Sequence, residues 1–179
     1  MANASAVIAE LQKLTEDQLF KWQYDYSASG VIKNNSTASL TTTIQQDADF
    51  LVTHITGKLF GPTDASGVVY TGETTDFPTP GDNALSASGL SFKMTDQGAG
   101  RELSSDFIPF ELILTPGYST ILYQPFPFKY LLRRNSTLRF DIRNRDTKSK
   151  AGGGDLYHSV SIMLHGYKYD NVVSQKVKV

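Results

Sequence analysis

Two stretches near the carboxy terminus alternate apolar and polar residues with a period of two, and nothing else in the chain restricts the fold as much. In Leu138-Arg139-Phe140-Asp141-Ile142-Arg143 the apolar side chains fall on one face of an extended segment and the charges on the other. The pattern resumes in Ser159-Val160-Ser161-Ile162-Met163-Leu164-His165-Gly166-Tyr167-Lys168-Tyr169. Between them runs a polar loop, Asn144 to Asp155, with three consecutive glycines at Gly152, Gly153 and Gly154. That loop is too long for a two-residue turn but can join antiparallel strands, so the two stretches are predicted to pair at the best-specified part of the core.

The same period recurs upstream. Phe20, Trp22, Tyr24 and Tyr26 alternate with Lys21, Gln23 and Asp25, which predicts a strand with an aromatic face; a helix would scatter these rings around its surface. Leu40, Thr42 and Ile44 predict another strand. Asp49 to Phe60 predicts a long central one, with Phe50, Val52 and His54 on one face, Leu51, Thr53 and Ile55 on the other, and a bulge or bend at Gly57. Leu90, Phe92 and Met94, then Ile108, Phe110, Leu112 and Leu114, then Phe128, Tyr130 and Leu132 continue the series. Ile121-Leu122-Tyr123 is a short apolar run, and Val68-Val69-Tyr70 a short strand within a long surface excursion over 61–89. Polar residues with Gly30, Asn34 and Asn35 mark a turn or linker over 27–39; Asp96 to Arg101 and Asn135-Ser136 mark turns. Residues 170–179 alternate weakly, as a last edge strand or a loose arm would.

Only residues 3–14 carry a helical stripe, through Val7, Ile8, Leu11 and Leu14. A helix so short is marginal alone and must dock on something. Eight or nine strands without strand–helix–strand alternation predict an all-β fold, an antiparallel β-sandwich of jelly-roll-like kind with a short N-terminal helix or arm. The expected organisation is a helix or arm with its aromatic strand over 1–28 and a sandwich domain over 29–179.

Composition narrows the chemistry. Without cysteine there is no disulfide, thiol catalysis or cysteine-ligated zinc. A net charge of −1 gives the whole molecule no bias toward nucleic acid or membrane. No basic region followed by an apolar run opens the chain, and no apolar stretch is long enough to span a bilayer, so neither a signal peptide nor a membrane partner is expected.

Motifs with chemical content are few. His158 and His165 have opposite parity in one strand and cannot share a face, while His54 can meet either across a sheet. There is no Gly-x-Ser-x-Gly elbow. Asp47 and Asp49 form a D-x-D without the further oxygen ligands of a calcium or magnesium site, and read as a cap on the strand that follows. Glu10, Glu16, Glu73, Glu102 and Glu111 sit in unrelated contexts, so no carboxylate pair is assignable. Gly98-Ala99-Gly100 precedes no helix, which removes a phosphate cradle. No cofactor is implied. Residues 129–150 hold eight basic residues, among them Arg139, Arg143 and Arg145, against Asp141 and Asp146. Three readings fit: a nucleic-acid rim, a surface complementary to an acidic neighbour, or a solvated sheet face whose arginine stems cover apolar neighbours. No interleaved aromatics accompany the arginines, which makes nucleic acid the least favoured. Phe20, Trp22, Tyr24 and Tyr26 face either a core or a partner.

From Phe92 onward the chain resembles tailed-bacteriophage virion structural proteins. The resemblance is carried by Thr95-Asp96-Gln97-Gly98-x-Gly100-Arg101, Ile108-Pro109-Phe110, Gln124-Pro125-Phe126, the Leu138 to Asn144 strand with its Arg-Asn end, and Ile162-Met163-Leu164-His165-Gly166-Tyr167-Lys168-Tyr169. Asp47-Ala48-Asp49-Phe50-Leu51-Val52 is similar as well. It implies a non-enzymatic subunit located in the virion and made in the bacterial cytoplasm, decorating or cementing the head or sitting at the neck or collar. It also implies partners: other copies of the chain, and the major capsid, portal or tail components. Phe20, Trp22, Tyr24, Tyr26, Arg139, Arg143 and Arg145 are the expected interface residues. The alternative is a carbohydrate-binding module for host adsorption, with Trp22, Tyr70 and Tyr118 as stacking rings. An enzyme is the third reading, and it requires a cleft joining His54, His165 and a carboxylate.

Overall fold

The structure is a computed structural model; it describes Ala9 and residues 23–72, 74–75, 89–113, 126–147, 149–150 and 153–169. Apart from Ala9, the helix predicted over 3–14 lies outside these residues. So do Phe20 and Trp22, the 121–123 run, most of 73–88 and the 170–179 tail. Eleven strands form among the described residues: β1 (Gln23–Lys33), β2 (Ser36–Thr43), β3 (Asp49–Thr63), β4 (Thr74–Thr75), β5 (Leu90–Asp96), β6 (Arg101–Glu102), β7 (Ile108–Pro109), β8 (Phe126–Leu132), β9 (Thr137–Asn144), β10 (Ser149–Lys150) and β11 (Tyr157–Tyr169).

Their pairing is a set of nested hairpins. β5 pairs with β6, β3 with β8, β2 with β9 and β1 with β11, all antiparallel. The chain is thus one long hairpin with the 97–100 turn at its tip, rolled so that β1, β2, β3 and β5 of one arm, and β8, β9 and β11 of the other, fall alternately in two sheets. One large sheet has the order β1-β11-β3-β8 and the other runs β2-β9-β5-β6, with β7 also on β5, while β4 and β10 form a separate two-stranded ladder. Two antiparallel sheets with this wrapping form a jelly-roll sandwich. β9 and β11 are therefore not partners, contrary to the sequence expectation. They lie on the same arm of the hairpin and in opposite sheets, and the 144–155 loop crosses between the sheets. Alternation fixes which face of each strand is buried but not which strand lies beside it.

The inner faces fill the core. Leu138, Phe140 and Ile142 of β9 and Leu90 and Phe92 of β5 are fully buried, facing Phe50, Val52 and Ile55 of β3 and Ile162 and Leu164 of β11. Each such side chain contributes roughly 1.5–3 kcal/mol relative to exposure. Tyr26 packs edge-on against Phe50, with ring centroids 4.8 Å apart.

β3 departs from simple alternation. Across the β11 ladder His54 faces His165 but Val52 faces Gly166, which leaves Thr53 as the extra residue of a bulge. Parity flips there: Phe50, Val52 and Ile55 enter the core and His54 turns out to solvent, so the faces expected from sequence hold only up to Val52. The Thr53 hydroxyl donates to the His165 carbonyl at 3.1 Å across the disrupted ladder. Gly166 makes the bulge possible, because a Cβ there would run into the Leu51 carbonyl oxygen. Gly57 is not at the bulge. It lies under Phe110 and Ile113, where a Cβ would come within 3.0 Å of both side chains.

The strand expected over 108–114 ends after Pro109. Phe110–Leu112 turn into a 3-10 helix that buries Phe110 over Gly57 and leaves Leu112 53% exposed, so the two do not share a buried face. Proline offers the ladder no N–H, which favours a break at this edge. The polar stretch over 27–39 belongs mostly to β1 and β2. The turn is confined to Asn34 and Asn35, where Asn35 adopts φ +51°, and β1 runs through the boundary expected between residues 28 and 29.

The tip of the hairpin is held by Asp96, 2% exposed. Its carboxylate accepts hydrogen bonds from Ser136 Oγ at 2.5 Å, Tyr130 Oη at 3.1 Å and the Ala99 N–H at 3.2 Å. Burial, and then the bond to Asp96, push the Tyr130 phenol up from its ordinary pKa. Gly98 lies against Ser136 with no room for a Cβ.

Replacing Asp96 by Ala leaves three donors without their shared acceptor and is expected to cost about 1–3 kcal/mol or more, read as a lower urea midpoint. Gly166→Ala is expected to cost about as much or more, since only backbone movement relieves its clash. A midpoint within error of the parent chain for Gly166→Ala would show that the bulge does not need glycine.

Candidate functional site

Four polar constellations are built onto this frame. The first crosses the outer face of the β1-β11-β3 sheet. His165 on β11 lies directly opposite Asp25 of β1 and His54 of β3. Its Nδ1 is 2.9 Å from Asp25 Oδ1 and its Nε2 is 2.8 Å from Thr56 Oγ1. His54 instead contacts its neighbour, with Nδ1 3.0 Å from Thr53 Oγ1. Hydroxyl, imidazole and carboxylate thus stand in the order of an acyl-transfer relay. A relay also needs donors aimed at a developing oxyanion. Here β3 and β11 are central strands whose backbone N–H groups serve the ladders. The row can pass a proton between Thr56 and Asp25, and it ties three strands together. Sequence showed that His54 could meet His165, but Asp25 and Thr56 enter only through strand order and register.

The second constellation is buried at the opposite end of the sandwich. Asn144 Nδ2 donates to Asn34 Oδ1 at 3.1 Å, and His158 Nδ1 lies 3.0 Å from the same oxygen. His158 Nε2 is 3.5 Å from Asp146 Oδ2. The network joins the β1–β2 turn, the end of β9 and the start of β11. Asn34 and Asp146 also line an open polar depression of about 330 Å³, with Lys33, Ser149 and Asp155 on its rim. Lys33 and Asp155 there form an ion pair at 2.8 Å.

The third is the outer face of the second sheet, where the arginines lie. Arg139 forks onto Asp141 at 2.6–2.7 Å, and Ser39 Oγ donates to the same carboxylate. The Arg143 guanidinium stacks on the Phe107 ring at 3.9 Å. Arg145 is exposed beyond β9, its backbone N–H donating to the Gly89 carbonyl. Arg139 and Arg143 therefore engage groups of their own sheet face.

The fourth lies at the β1 entrance. Tyr26 is core and its hydroxyl accepts from the Gln45 N–H, while Tyr24 is 36% exposed with Lys168 Nζ 4.1 Å above its ring. Burial pushes the Tyr26 hydroxyl above its ordinary pKa, partly offset by the Gln45 bond. Lys168 also reaches Asp47 at 2.8 Å. Asp49 takes Arg133 Nη1 at 2.7 Å and the Arg134 N–H at 3.0 Å instead. The D-x-D pair is thus split between two cationic partners, and among the described residues no group of three or more metal-ligating side chains comes together. Of the rings considered for sugar stacking, Trp22 and Tyr118 lie outside the described residues, and Tyr70 has Lys150 Nζ 5.2 Å from its ring centre.

A scan against protein-family models and searches of curated proteins and of solved structures return no match to this chain.

The ion pairs set a pH signature. The Lys168 hydrogen bond holds the Asp47 carboxyl below its ordinary pKa, and bonds from the Ser66 hydroxyl and the Val68 N–H do the same for Asp64. A carboxyl lowered in the folded state stabilises the fold above its unfolded pKa of about 4, and the contribution is lost as pH falls through the folded value. For Lys168 burial opposes the charge, but the Asp47 bond and the nearby Tyr26 and Tyr24 outweigh it and its pKa is raised. That contribution is complete below about 10.4 and is lost as pH rises through the folded value. Asp47→Asn is expected to flatten part of the loss of stability below about pH 4 and to cost at most about 1 kcal/mol at neutral pH, since the carboxylate is exposed. Superimposable acid limbs for the variant and parent, by thermal melts across pH, would contradict this.

Proposed function

We propose that this chain is a non-catalytic structural subunit of a tailed-bacteriophage virion, assembling with copies of itself on the head as decoration or cement, or at the neck or collar. The observation that carries the reading is where the phage-like residues sit. Asp96, Gly98 and Gly100 form the hairpin tip, Asn144 closes β9 within the buried network, and Gly166 permits the bulge. The resemblance thus falls largely on devices that specify the sandwich. Exposed apolar area supports assembly. Val31 and Phe60 flank Ser159 on the outer face of the first sheet, and Phe60, Val68 and Val69 are 56–64% exposed. Partners of this surface would be other copies or the capsid, portal or tail components.

In this reading the segment before β1, residues 1–22, docks on a neighbouring copy, since from Gln23 onward the chain is paired within its own sandwich. Deleting residues 1–19 should leave the sandwich folded, with native near-ultraviolet circular dichroism, and abolish incorporation into particles. Normal incorporation of the shortened chain would overturn the docking role. Absence of the intact chain from purified particles would overturn the virion assignment itself.

A further inference from the structure

The buried network at the β1–β2 turn fixes the protonation of its histidine through a chain of single hydrogen bonds. The first link is the backbone N–H of Asp146, which donates to Asn144 Oδ1 at 3.0 Å. A backbone N–H can only donate, so the other end of the Asn144 amide is Nδ2. That group points at Asn34 Oδ1, 3.1 Å away, and at the Ile32 carbonyl, 3.4 Å away. Asn34 therefore presents its oxygen to the network. His158 Nδ1 lies 3.0 Å from that same oxygen, and its Nε2 lies 3.5 Å from Asp146 Oδ2. Both ring nitrogens thus face acceptors. A neutral imidazole has one proton, so either tautomer leaves a lone pair against an oxygen, whereas the imidazolium donates to both. Asn144 Nδ2 is also 3.2 Å from His158 Nδ1, but its two hydrogens have the Asn34 and Ile32 oxygens to serve. The ring cannot turn away on the β3 side, because it lies on Gly61 with no room for a Cβ between them. Asn34, Asn144 and His158 are all buried, so a mismatched contact among them is not relieved by solvent.

We propose that His158 is a proton-operated clasp: as the imidazolium it ties the 144–155 loop to the β1–β2 turn, and loss of its second proton loosens that corner. The clasp acts on three segments at once. Asn34 belongs to the turn, Asn144 and Asp146 to the end of β9 and the loop that follows, and His158 to the start of β11. The approach to β11 is also pinned to the turn, where the Asn34 N–H donates to the Leu156 carbonyl at 2.9 Å. Charge sets the balance. Among the described residues the charged groups around the ring are Asp146, which favours the cation, and Lys33 with Asp155, which pair with each other at 2.8 Å on the rim. Asn34, Asn144 and Gly61 face the ring with neutral groups. Burial opposes the cation, and the Asp146 carboxylate and the Asn34 oxygen offset it. The turn and the loop are also the two walls of the polar depression of about 330 Å³, so the clasp governs its width. A fold that satisfies the charged form is stabilised in full below the ordinary imidazole pKa of about 6.5, and loses that contribution as pH rises through the folded value.

Nitrogen chemical shifts of the imidazole rings test this in the full-length protein made with isotope-labelled histidine, because a doubly protonated ring and the two neutral tautomers give different patterns. The His158 signals are assigned through its backbone amide. At about pH 7, where an ordinary histidine is mostly neutral, His158 is expected to be mostly doubly protonated. Asp146→Asn is expected to weaken its proton affinity about tenfold or more. Amide hydrogen exchange supplies the second readout. Once corrected for the intrinsic pH dependence of exchange, protection of the Asn34 N–H should fall about tenfold or more as His158 deprotonates, while the β5–β9 ladder stays unchanged. A His158 that is neutral at about pH 7 in the parent chain would overturn the proposal. So would a proton affinity unmoved by Asp146→Asn, or Asn34 protection that does not follow the His158 titration.

Discussion

One buried carboxylate holds the geometry on which the rest of the sandwich depends. Asp96 sits where β5 turns into β6, and its oxygens gather Ala99 from the turn itself, Tyr130 from β8 and Ser136 from the corner before β9. Local turn chemistry can close the tip alone. The Asp96 bonds, with the Gln97 N–H donating to the Thr137 carbonyl at 2.9 Å, attach that tip to the corner before β9, which helps convert a long ladder into a rolled one. A carboxylate removed from water carries a large desolvation cost, and three donors are what make its burial tolerable. Corresponding polar staples stand elsewhere in the fold: Asp49 fixes the Arg133–Arg134 corner, and Asn144 fixes the Asn34 turn.

The sequence announced the faces of strands better than their neighbours. In β5, β9 and β11 every inward residue followed from period two, because each strand has one wet and one dry side. β3 broke the rule at Thr53, since a bulge adds a residue without leaving a pattern of its own; its signature, Gly166, lies on a different strand. Phe110 and Leu112 misled for a related reason. Their spacing suits a strand, but the Phe110 ring is drawn onto the surface that Gly57 leaves bare, and the backbone turns to follow it.

Functional geometry was less legible, and the cause is topological. The Asp25–His165–Thr56 row draws one residue from each of three strands, at opposite ends of the sequence, so no spacing signal can announce it. The arginines were visible as a charge excess, but their partners were not. Asp141 and Phe107 lie against Arg139 and Arg143 on the sheet's own face, contacts that a count of charges along the chain does not reveal. The Asp47–Asp49 pair dissolved in the same way, each carboxylate answering a different cation.

The nesting of the hairpins also orders events in time. Asp96 meets Arg101 across a turn of a few residues, whereas Gln23 meets Tyr167 near the far end of the chain. Loop-closure entropy makes the innermost pair the least costly to form and the outermost the most. On a ribosome, β1 is made early but must wait for almost the whole chain before β11 can cover its ladder. The strand that begins the sandwich is therefore among the last to be secured. Until then its unpaired backbone is open to the same segment of a neighbouring nascent chain, so slow release and crowding on one message are the conditions under which this fold would exchange strands between copies.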